Sequence, residues 1–239
     1  ITFNTFSRGI IYWSLTFSCP HGKPAGWGVS HLTNYVHQTM TVPTIIDQLI
    51  ALDKELFLFL NGLHTHWLDP IMRLMTNTLF WLPFYIFLLF HIVKEHKVMS
   101  LPILLGITLT ILLSDQITSS LMKPYFTRFR PSHEPSLEGL VHLVNGYKGA
   151  VYGFASSHAA NTFGTAAFLN LLFRSTKPWM IWLFLWAAAV SYTRIYLGVH
   201  YPADIIAGGM VGIACGWISF RLYKLLRERI EKRKTPSIQ

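Results

Sequence analysis

Three polar clusters in this 239-residue chain stand at the ends of long apolar stretches and carry side chains that could do chemistry. They are KPYFTRFRP at 123–131, GFASSH at 153–158 and TRIYLGVHYPAD at 193–204. Together they hold lysine and arginine side chains, two imidazoles, a carboxylate and several hydroxyls. This set suits phosphoryl transfer, because that transition state spreads negative charge over three oxygens and needs fixed cations and amide donors around them.

The clusters supply positive charge and a candidate anion-binding helix end. The cations proposed to bind phosphate are Lys123, Arg130 and Arg194. An arginine among them can bind two phosphate oxygens at once. The second cluster places Ser156, Ser157 and His158 where a helix should begin, and free backbone amides at that end favour an anion.

The third cluster contains a candidate nucleophile. His200 and Asp204 are four residues apart, and Pro202 suits the first turn of a helix. Asp204 can then accept the far N–H of the imidazole, and an imidazole oriented in this way is a nucleophile or a base. Of the other charged residues, Arg128 is interpreted as a side chain that extends to lipid headgroups. Asp115 either orients a cation or helps helices to pack, and both alternatives stay open.

These motifs resemble the signature of the type 2 phosphatidic acid phosphatase superfamily, which reads KxxxxxxRP, then PSGH, then SRxxxxxHxxxD. The first part matches in full from Lys123 to Pro131. The second part appears as ASSH, with Ala155 in place of proline and Ser157 in place of glycine. In the third part Thr193 replaces serine. The resemblance extends over about residues 45–225.

The resemblance implies a metal-independent phosphatase mechanism that needs no cofactor. His200 would attack phosphorus to form a phosphohistidine, and Asp204 would fix the tautomer of this imidazole. His158 would protonate the departing oxygen and then activate water. The residues implied to hold the phosphate are Lys123, Arg130, Ser156, Ser157 and Arg194. A side chain at position 157 could crowd the phosphate or add a hydroxyl donor.

The elements that must position these clusters are membrane helices. Charged residues make up only 13% of the chain and hydrophobic residues 51%, which excludes a disordered chain and argues against an ordinary soluble enzyme. Five stretches are long and apolar enough to cross a bilayer: 76–93, 99–122, 149–173, 178–193 and 205–220. The predicted fold is therefore an all-α, polytopic membrane bundle of about five transmembrane helices with an N-terminal interfacial helix.

Basic residues predict the orientation of this bundle. The first span is followed by Lys94 and Lys97, and the third by Arg174 and Lys177. The last nineteen residues carry seven basic and two acidic side chains. Since such loops stay on the cytoplasmic side, all three clusters fall on the opposite, periplasmic face of a bacterial inner membrane.

The chain is predicted to divide into an extension at 1–39, a membrane phosphatase domain at 40–225 and a basic cytoplasmic tail at 226–239. The extension contains no acid and no initiator methionine, so we expect translation to begin at Met40. Ile45–Leu63 has apolar residues at spacings of three or four and is predicted to be an amphipathic helix at the membrane surface. A sixth crossing at this segment is the alternative.

The sequence thus predicts an integral membrane phosphohydrolase that acts on a lipid phosphate or diphosphate. Candidate substrates are undecaprenyl diphosphate, phosphatidic acid, phosphatidylglycerol phosphate and lipid A, with a preference for the undecaprenyl diphosphate or lipid A type. Three alternatives remain: a lipid phosphotransferase, a non-enzymatic protein that binds or transports phospholipid, and a vanadium haloperoxidase, against which the membrane spans count strongly.

The expected partners are the lipid substrate and the bilayer, with no nucleic acid. Small residues repeat every four positions in the third and fifth spans, at Ser156, Ala160 and Gly164 and at Gly208, Gly212 and Gly216. Such stripes let helices pack closely within the chain, and a homodimer face is the alternative.

Overall fold

A computed structural model describes residues 44–234, in which every regular element is a helix and no β-strand forms. The predicted extension at 1–39 lies outside the described residues. The α-helices are α1 (Ile45–Gly62), α2 (Asp69–Met75), α3 (Leu82–His96), α4 (Ser100–Asp115), α5 (Lys123–Phe126), α6 (Ser157–Phe173), α7 (Leu183–Tyr196) and α8 (Pro202–Lys234). Helix α8 thus continues through residue 226, where the basic tail was predicted to start.

Short segments of tighter or wider helix connect these elements. The 3₁₀ segments are Thr78–Trp81, Lys97–Met99, Pro131–His133, Pro135–Leu137, Val144–Gly146 and Pro178–Trp182. A π-helical segment, Gln116–Met122, joins α4 to α5. Wide turns of this kind often occur at functional sites, and this one leads directly to Lys123.

Two described segments are long and apolar enough to cross a membrane, Thr78–Phe126 and Pro202–Lys232. The first contains a break at Lys97, whose φ of 44° ends α3 and separates the first two predicted spans. The third predicted span was placed too early: residues 149–156 are not helical, and α6 begins only at Ser157. Gly149 (φ +67°) adopts a left-handed conformation there, and Ser156 caps the helix.

The small-residue stripes bring α6 and α8 into backbone contact. A Cβ added to Gly212 would lie 2.0 Å from the carbonyl oxygen of Ala160, and one added to Gly208 would lie 2.3 Å from that of Ser156. Only glycine permits this approach, so the two stripes are buried against each other inside the chain. Because Ser156 belongs to the second cluster, this packing also fixes the site.

An apolar core surrounds this helix pair. Phe168 is fully buried and lies against Gly106 of α4, where an added Cβ would be 2.5 Å from its ring. The other buried members of this core include Leu88, Ile92, Ile103, Leu169, Phe173, Met180, Leu183 and Ala187. Helices α3, α4, α6 and α7 are thus held together at the end of the bundle away from the clusters.

Helix α1 forms at the segment predicted to be an amphipathic helix, and one side of it packs on the protein. Ile46 and Leu49 of the predicted apolar stripe are exposed, at 67% and 60%. The buried side chains of this helix are Phe57 and Asn61. The Asn61 amide donates to the carbonyls of Ile195 and Tyr196 at 3.2 and 2.9 Å, which ties α1 to the end of α7. The stripe is therefore left for a lipid environment.

Candidate active site

Backbone hydrogen bonds join the first two clusters. Thr127 adopts a left-handed conformation (φ 45°) that ends α5 and turns the chain into an extended segment. In this segment the amide of Arg130 donates to the Val151 carbonyl at 3.0 Å, and the Gly153 amide donates to the Arg128 carbonyl at 2.9 Å. These two hydrogen bonds therefore fix the position of Arg130 relative to the segment that leads into α6.

The Arg130 guanidinium is buried, and its hydrogen-bond acceptors are neutral carbonyl groups. Its Nε donates to the Tyr152 carbonyl at 3.1 Å and its Nη1 to the Val199 carbonyl at 3.4 Å. Two glycines leave room for this side chain, since a Cβ on Gly149 or on Gly153 would lie 3.0 Å from it. The structure thus positions the arginine with carbonyl dipoles and keeps its charge available.

Lys123 ends a chain of hydroxyl groups that begins at Asp115. Its Nζ donates to Ser157 Oγ at 2.7 Å and to Ser119 Oγ at 3.1 Å. Ser119 Oγ in turn donates to Asp115 Oδ1 at 3.1 Å, and Ser157 Oγ lies 2.9 Å from Thr118 Oγ1. Two alternatives were open for Asp115. The structure supports the one in which Asp115 orients a cation, because Ser119 links its carboxylate to Lys123. It also shows that Ser157, the departure from the family glycine, contacts this lysine.

Arg194 is the third cation and is nearly fully buried. Its Nη1 donates to Thr76 Oγ1 at 2.7 Å, and its guanidinium carbon lies 6.0 Å from the centre of the Tyr147 ring. Among residues 44–234 no group accepts a hydrogen bond from Arg194 Nε. A buried donor without an acceptor is costly, so this N–H is suited to an anionic ligand. Sequence reasoning did not find Thr76, which precedes Arg194 by 118 residues.

The second cluster forms the N-terminus of α6. Ser156 is buried, its Oγ accepts from the Ala159 amide at 3.5 Å, and its own amide donates to the Asp204 carbonyl at 3.0 Å. The following residues, Ser157 and His158, occupy the first turn, where helix amides favour negative charge. The second cluster is therefore joined to the third through Ser156 and Asp204.

His200 and Asp204 form a buried pair at the start of α8. His200 Nδ1 lies 3.3 Å from Asp204 Oδ2, and the same oxygen accepts from the Tyr201 amide at 3.0 Å. The His200 amide donates to the Arg194 carbonyl at 3.2 Å, so α7 also holds the imidazole in place. The carboxylate favours the tautomer with its proton on Nδ1, which leaves the Nε2 lone pair for a nucleophilic role.

Burial and the surrounding positive charges, those of Arg130 and Arg194 first, hold the pKa of His200 well below that of an ordinary histidine. A lowered pKa favours the neutral imidazole at neutral pH. A neutral imidazole is the form that can attack an electrophile.

Arg128 is the residue that sequence reasoning placed wrongly. It does not extend toward headgroups: its Nη1 donates to Asp204 Oδ1 at 2.8 Å and its Nη2 to Asp53 Oδ2 at 2.6 Å. Asp53 lies on α1, 75 residues earlier in the chain. The weak signals available were the position of Arg128 two residues before Arg130 and the presence of an acidic residue, Asp53, in the predicted amphipathic helix.

The four cations of the site therefore fall into two classes. Within the described part of the chain, Lys123, Arg130 and Arg194 have hydroxyl and carbonyl acceptors and form no ion pair. Arg128 forms two ion pairs. Three converging cations without counterions, beside an oriented neutral imidazole, make a site for a phosphoryl group.

Comparison with known proteins decides the family. Residues 103–228 match the PAP2 superfamily. The chain belongs to this superfamily. The lipid A 4'-phosphatase of Bacteroides thetaiotaomicron is 40% identical over 190 residues, which cover 78% of this chain and 84% of the relative.

Two solved PAP2-like structures resemble the helical bundle. The crystal structure of LpxE from Aquifex aeolicus has a TM-score of 0.54 and 29% identity, covering 71% of this chain and 95% of the other. The phosphatidylglycerolphosphate phosphatase from Bacillus subtilis, described as a transmembrane PAP2-type protein, has a TM-score of 0.53 and 22% identity, covering 84% and 96%. This second likeness supports the fold alone.

Three predictions are thereby confirmed: the PAP2 superfamily, a phosphoric ester hydrolase, and a helical membrane protein with lipid phosphohydrolase relatives. The eight predicted site residues belong to the three clusters, and the hydrogen bonds described above join these clusters to one another. Their individual roles follow from the chemistry of that arrangement and are proposed below.

Proposed function

We propose that this PAP2 protein removes a phosphate group from a lipid A-type glycolipid through a phosphohistidine on His200. The observation that carries this proposal is the buried His200–Asp204 pair beside three cations that have no counterion. A phosphate monoester bound there would neutralise those cations and expose its phosphorus to the imidazole.

An apolar cavity supports a lipid substrate. It has a volume of about 420 Å³ and lies among α3, α4, α6 and α7. Its lining includes His158 and Thr76, the residue that binds Arg194, so the cavity adjoins the proposed phosphate site. The rest of its wall is mainly aromatic and aliphatic, including Trp81, Leu88, Ile92, Ile107, Leu169 and Trp186. An acyl chain of the substrate fits this environment.

A second cavity, lined mainly by polar residues, suits a sugar headgroup. It has a volume of about 500 Å³ and is lined by His66, Asp69, Pro70, Arg73, Leu74, Asn77, Val144 and Asn145. One residue of its lining, Asn77, follows Thr76, the residue that binds Arg194. Hydroxyl groups can bind the carboxylate and the amides, and a second phosphate can bind Arg73. Such a ligand has a large polar end and apolar chains, as a lipid A-type glycolipid has.

In the first proposed step, His200 Nε2 attacks phosphorus while the bond from phosphorus to the lipid oxygen breaks. His158 donates a proton to that departing oxygen. The charge that develops on the equatorial oxygens is stabilised by Lys123, Arg130 and Arg194. Asp204 keeps the Nδ1 proton in place as the imidazole gains positive charge.

In the second step, water hydrolyses the phosphohistidine. His158, now neutral, accepts a proton from the water as its oxygen bonds to phosphorus, and the bond from phosphorus to His200 Nε2 breaks. Inorganic phosphate leaves and both imidazoles return to their starting protonation states. The amides at the start of α6, near Ser156 and Ser157, hold the phosphate throughout.

We further propose that the site faces the periplasm from a bacterial inner membrane, within about five transmembrane helices. Lys177 contacts His91 and Glu95, so the α6–α7 connection and the end of α3 lie at the same end of the bundle. The basic loops therefore share one end, and the site lies at the other. By the positive-inside rule the basic end is cytoplasmic.

The experiment is a phosphate-release assay on a lipid panel in the presence of EDTA, with the purified protein in detergent micelles. The panel contains lipid A, undecaprenyl diphosphate, phosphatidic acid and phosphatidylglycerol phosphate. We expect wild type to release most phosphate from lipid A and His200→Ala to release none. The control His133→Ala, in the loop before α6, should match wild type. Equal release by His200→Ala and wild type would refute the assignment.

Transfer of the phosphoryl group to an alcohol uses the same first step and is the second candidate function. Adding an alcohol acceptor to the same assay distinguishes the two, because hydrolysis yields only inorganic phosphate. A phosphorylated acceptor as the main product would identify a phosphotransferase.

A further inference from the structure

We propose that Arg128 is a positioning residue that orients the Asp204 carboxylate toward His200, and that Asp53 on α1 holds Arg128 in that geometry. This inference rests on the proposed function, since it assigns the nucleophile to His200. It adds two residues that the three-part motif does not specify.

The Arg128 side chain is fully engaged by protein groups. One terminal nitrogen binds Asp204 at 2.8 Å and the other binds Asp53 at 2.6 Å. The guanidinium also stacks on Tyr201, with 4.1 Å from its carbon to the ring centre. Planar stacking and two ion pairs leave Arg128 poorly placed to bind a phosphate. Its neighbour Arg130, by contrast, has carbonyl partners only.

The two oxygens of Asp204 have separate partners. Oδ2 lies beside His200 Nδ1 and accepts from the Tyr201 amide, whereas Oδ1 binds Arg128. The Asp204 side chain has no solvent exposure. Without Arg128, this buried carboxylate would lose the arginine that balances its negative charge. The ion pair thus fixes the rotation of the carboxylate and keeps its second oxygen aimed at the imidazole.

Asp53 connects this pair to the surface helix. Its second oxygen accepts from the Ala203 amide at 2.9 Å, in the first turn of α8. One turn further along α1, the buried Phe57 packs edge-on against Tyr201 at 5.4 Å. Helix α1 therefore contacts Arg128, Tyr201 and the start of the helix that carries Asp204.

The test compares Arg128→Gln, Arg128→Lys and Asp53→Asn with Arg130→Gln as the matched control from the phosphate site. For each we would measure kcat, KM and inhibition by orthovanadate, with thermal unfolding as the check on folding. We expect Arg128→Gln to lower kcat about 10- to 100-fold with KM and vanadate inhibition nearly unchanged. Arg128→Lys should recover part of that loss. Arg130→Gln should weaken vanadate inhibition.

Asp53→Asn should reduce kcat less than Arg128→Gln does, because Arg128 would retain its bond to Asp204. The double variant should be no slower than Arg128→Gln alone, since the two residues act as one unit. If the losses of kcat in the two single variants instead add up in the double variant, the two residues do not act as one unit. If Arg128→Gln fails to fold, Asp53→Asn and Arg128→Lys carry the test through the same readouts.

The pH profile of kcat/KM separates positioning from a merely structural role. The charged or titratable groups that face His200 are Arg128, Arg130, Arg194, Lys123, Asp204 and His158. Arg128 is one of the cations that lower the pKa of His200, so its removal should raise that pKa. The acid limb of the profile should then move to higher pH in Arg128→Gln. An unmoved limb with wild-type kcat would overturn the proposal.

Vanadate inhibition weakened as strongly in Arg128→Gln as in Arg130→Gln would also overturn it, because Arg128 would then be a phosphate ligand. Failure of the proposed function looks different: wild type itself would release no phosphate from any lipid. The two failures are therefore distinguishable in one set of measurements.

Discussion

The two sides of this site balance their charges in opposite ways. On the nucleophile side, defined as His200, Asp204, Arg128 and Asp53, the arginine is paired with both carboxylates. On the phosphate side, defined as Lys123, Arg130, Arg194 and Ser157, the described cations have only neutral partners. A charge that is paired inside the protein fixes geometry, whereas an unpaired charge is available to a ligand. The difference shows which arginine serves which purpose.

The largest effect is expected on the nucleophile side. Asp204→Asn should lower kcat on the order of 10⁴-fold, because an asparagine can leave the imidazole in the wrong tautomer and cannot stabilise its positive charge. KM should change little. The measurement is the steady-state rate on the preferred lipid, and Glu134→Gln, a carboxylate paired with Lys54, is the control. A loss of less than about tenfold would be inconsistent with the assigned role.

On the phosphate side, Arg194→Ala should lower kcat/KM by about 10²- to 10³-fold, the usual cost of losing one donor to transition-state charge. Unlike Asp204→Asn, it should also weaken inhibition by orthovanadate. Arg174→Ala, in the connection at the opposite end of the bundle, is the matched control and should behave as wild type. Undiminished vanadate inhibition in folded Arg194→Ala would remove Arg194 from the phosphate site.

A smaller effect, which depends on the substrate, is expected for a change in the polar cavity lined by Arg73. Arg73→Ala should raise KM for lipid A by about tenfold, the value of one charged hydrogen bond, and leave KM for phosphatidic acid unchanged. The comparison of the two lipids in one preparation is the measurement. Arg221→Ala, which lies against Trp217 on α8, is the control. Equal effects on both lipids would mean that the cavity does not bind the sugar.

The smallest effect is expected at the departure from the family motif. Ser157→Gly removes one of two hydroxyl acceptors for Lys123, so kcat/KM should fall about fivefold, or about 1 kcal/mol. Ser120→Gly, an exposed position in the same π-helical segment as Ser119, is the control. A rate increase in Ser157→Gly would show that the hydroxyl crowds the phosphate.

The spacing of residues in the sequence was sufficient to predict contacts within each motif, because local geometry places the side chains of one turn or one helix. The His200–Asp204 spacing predicted the observed contact, and Gly208 with Gly212 predicted close helix packing. Long-range partners could not be predicted in this way. Nothing in the sequence around Arg194 indicates Thr76, and only weak signals link Arg128 to Asp53.

One helix boundary was predicted wrongly, at a point where polar function overrides the hydrophobic pattern. The uncharged stretch at 149–173 reads as one span, yet its first eight residues form the irregular backbone that surrounds Arg130. Tertiary contacts, not hydrophobicity, decide the structure of this segment.

The central claim is that His200 carries the phosphoryl group. It is tested most directly by quenching the enzyme during turnover on lipid A, digesting it at alkaline pH where phosphohistidine survives, and sequencing the peptides by mass spectrometry. The account predicts phosphate on His200 in wild type and none in His200→Ala. Phosphate on His158 instead, or turnover without any phosphorylated peptide, would contradict it.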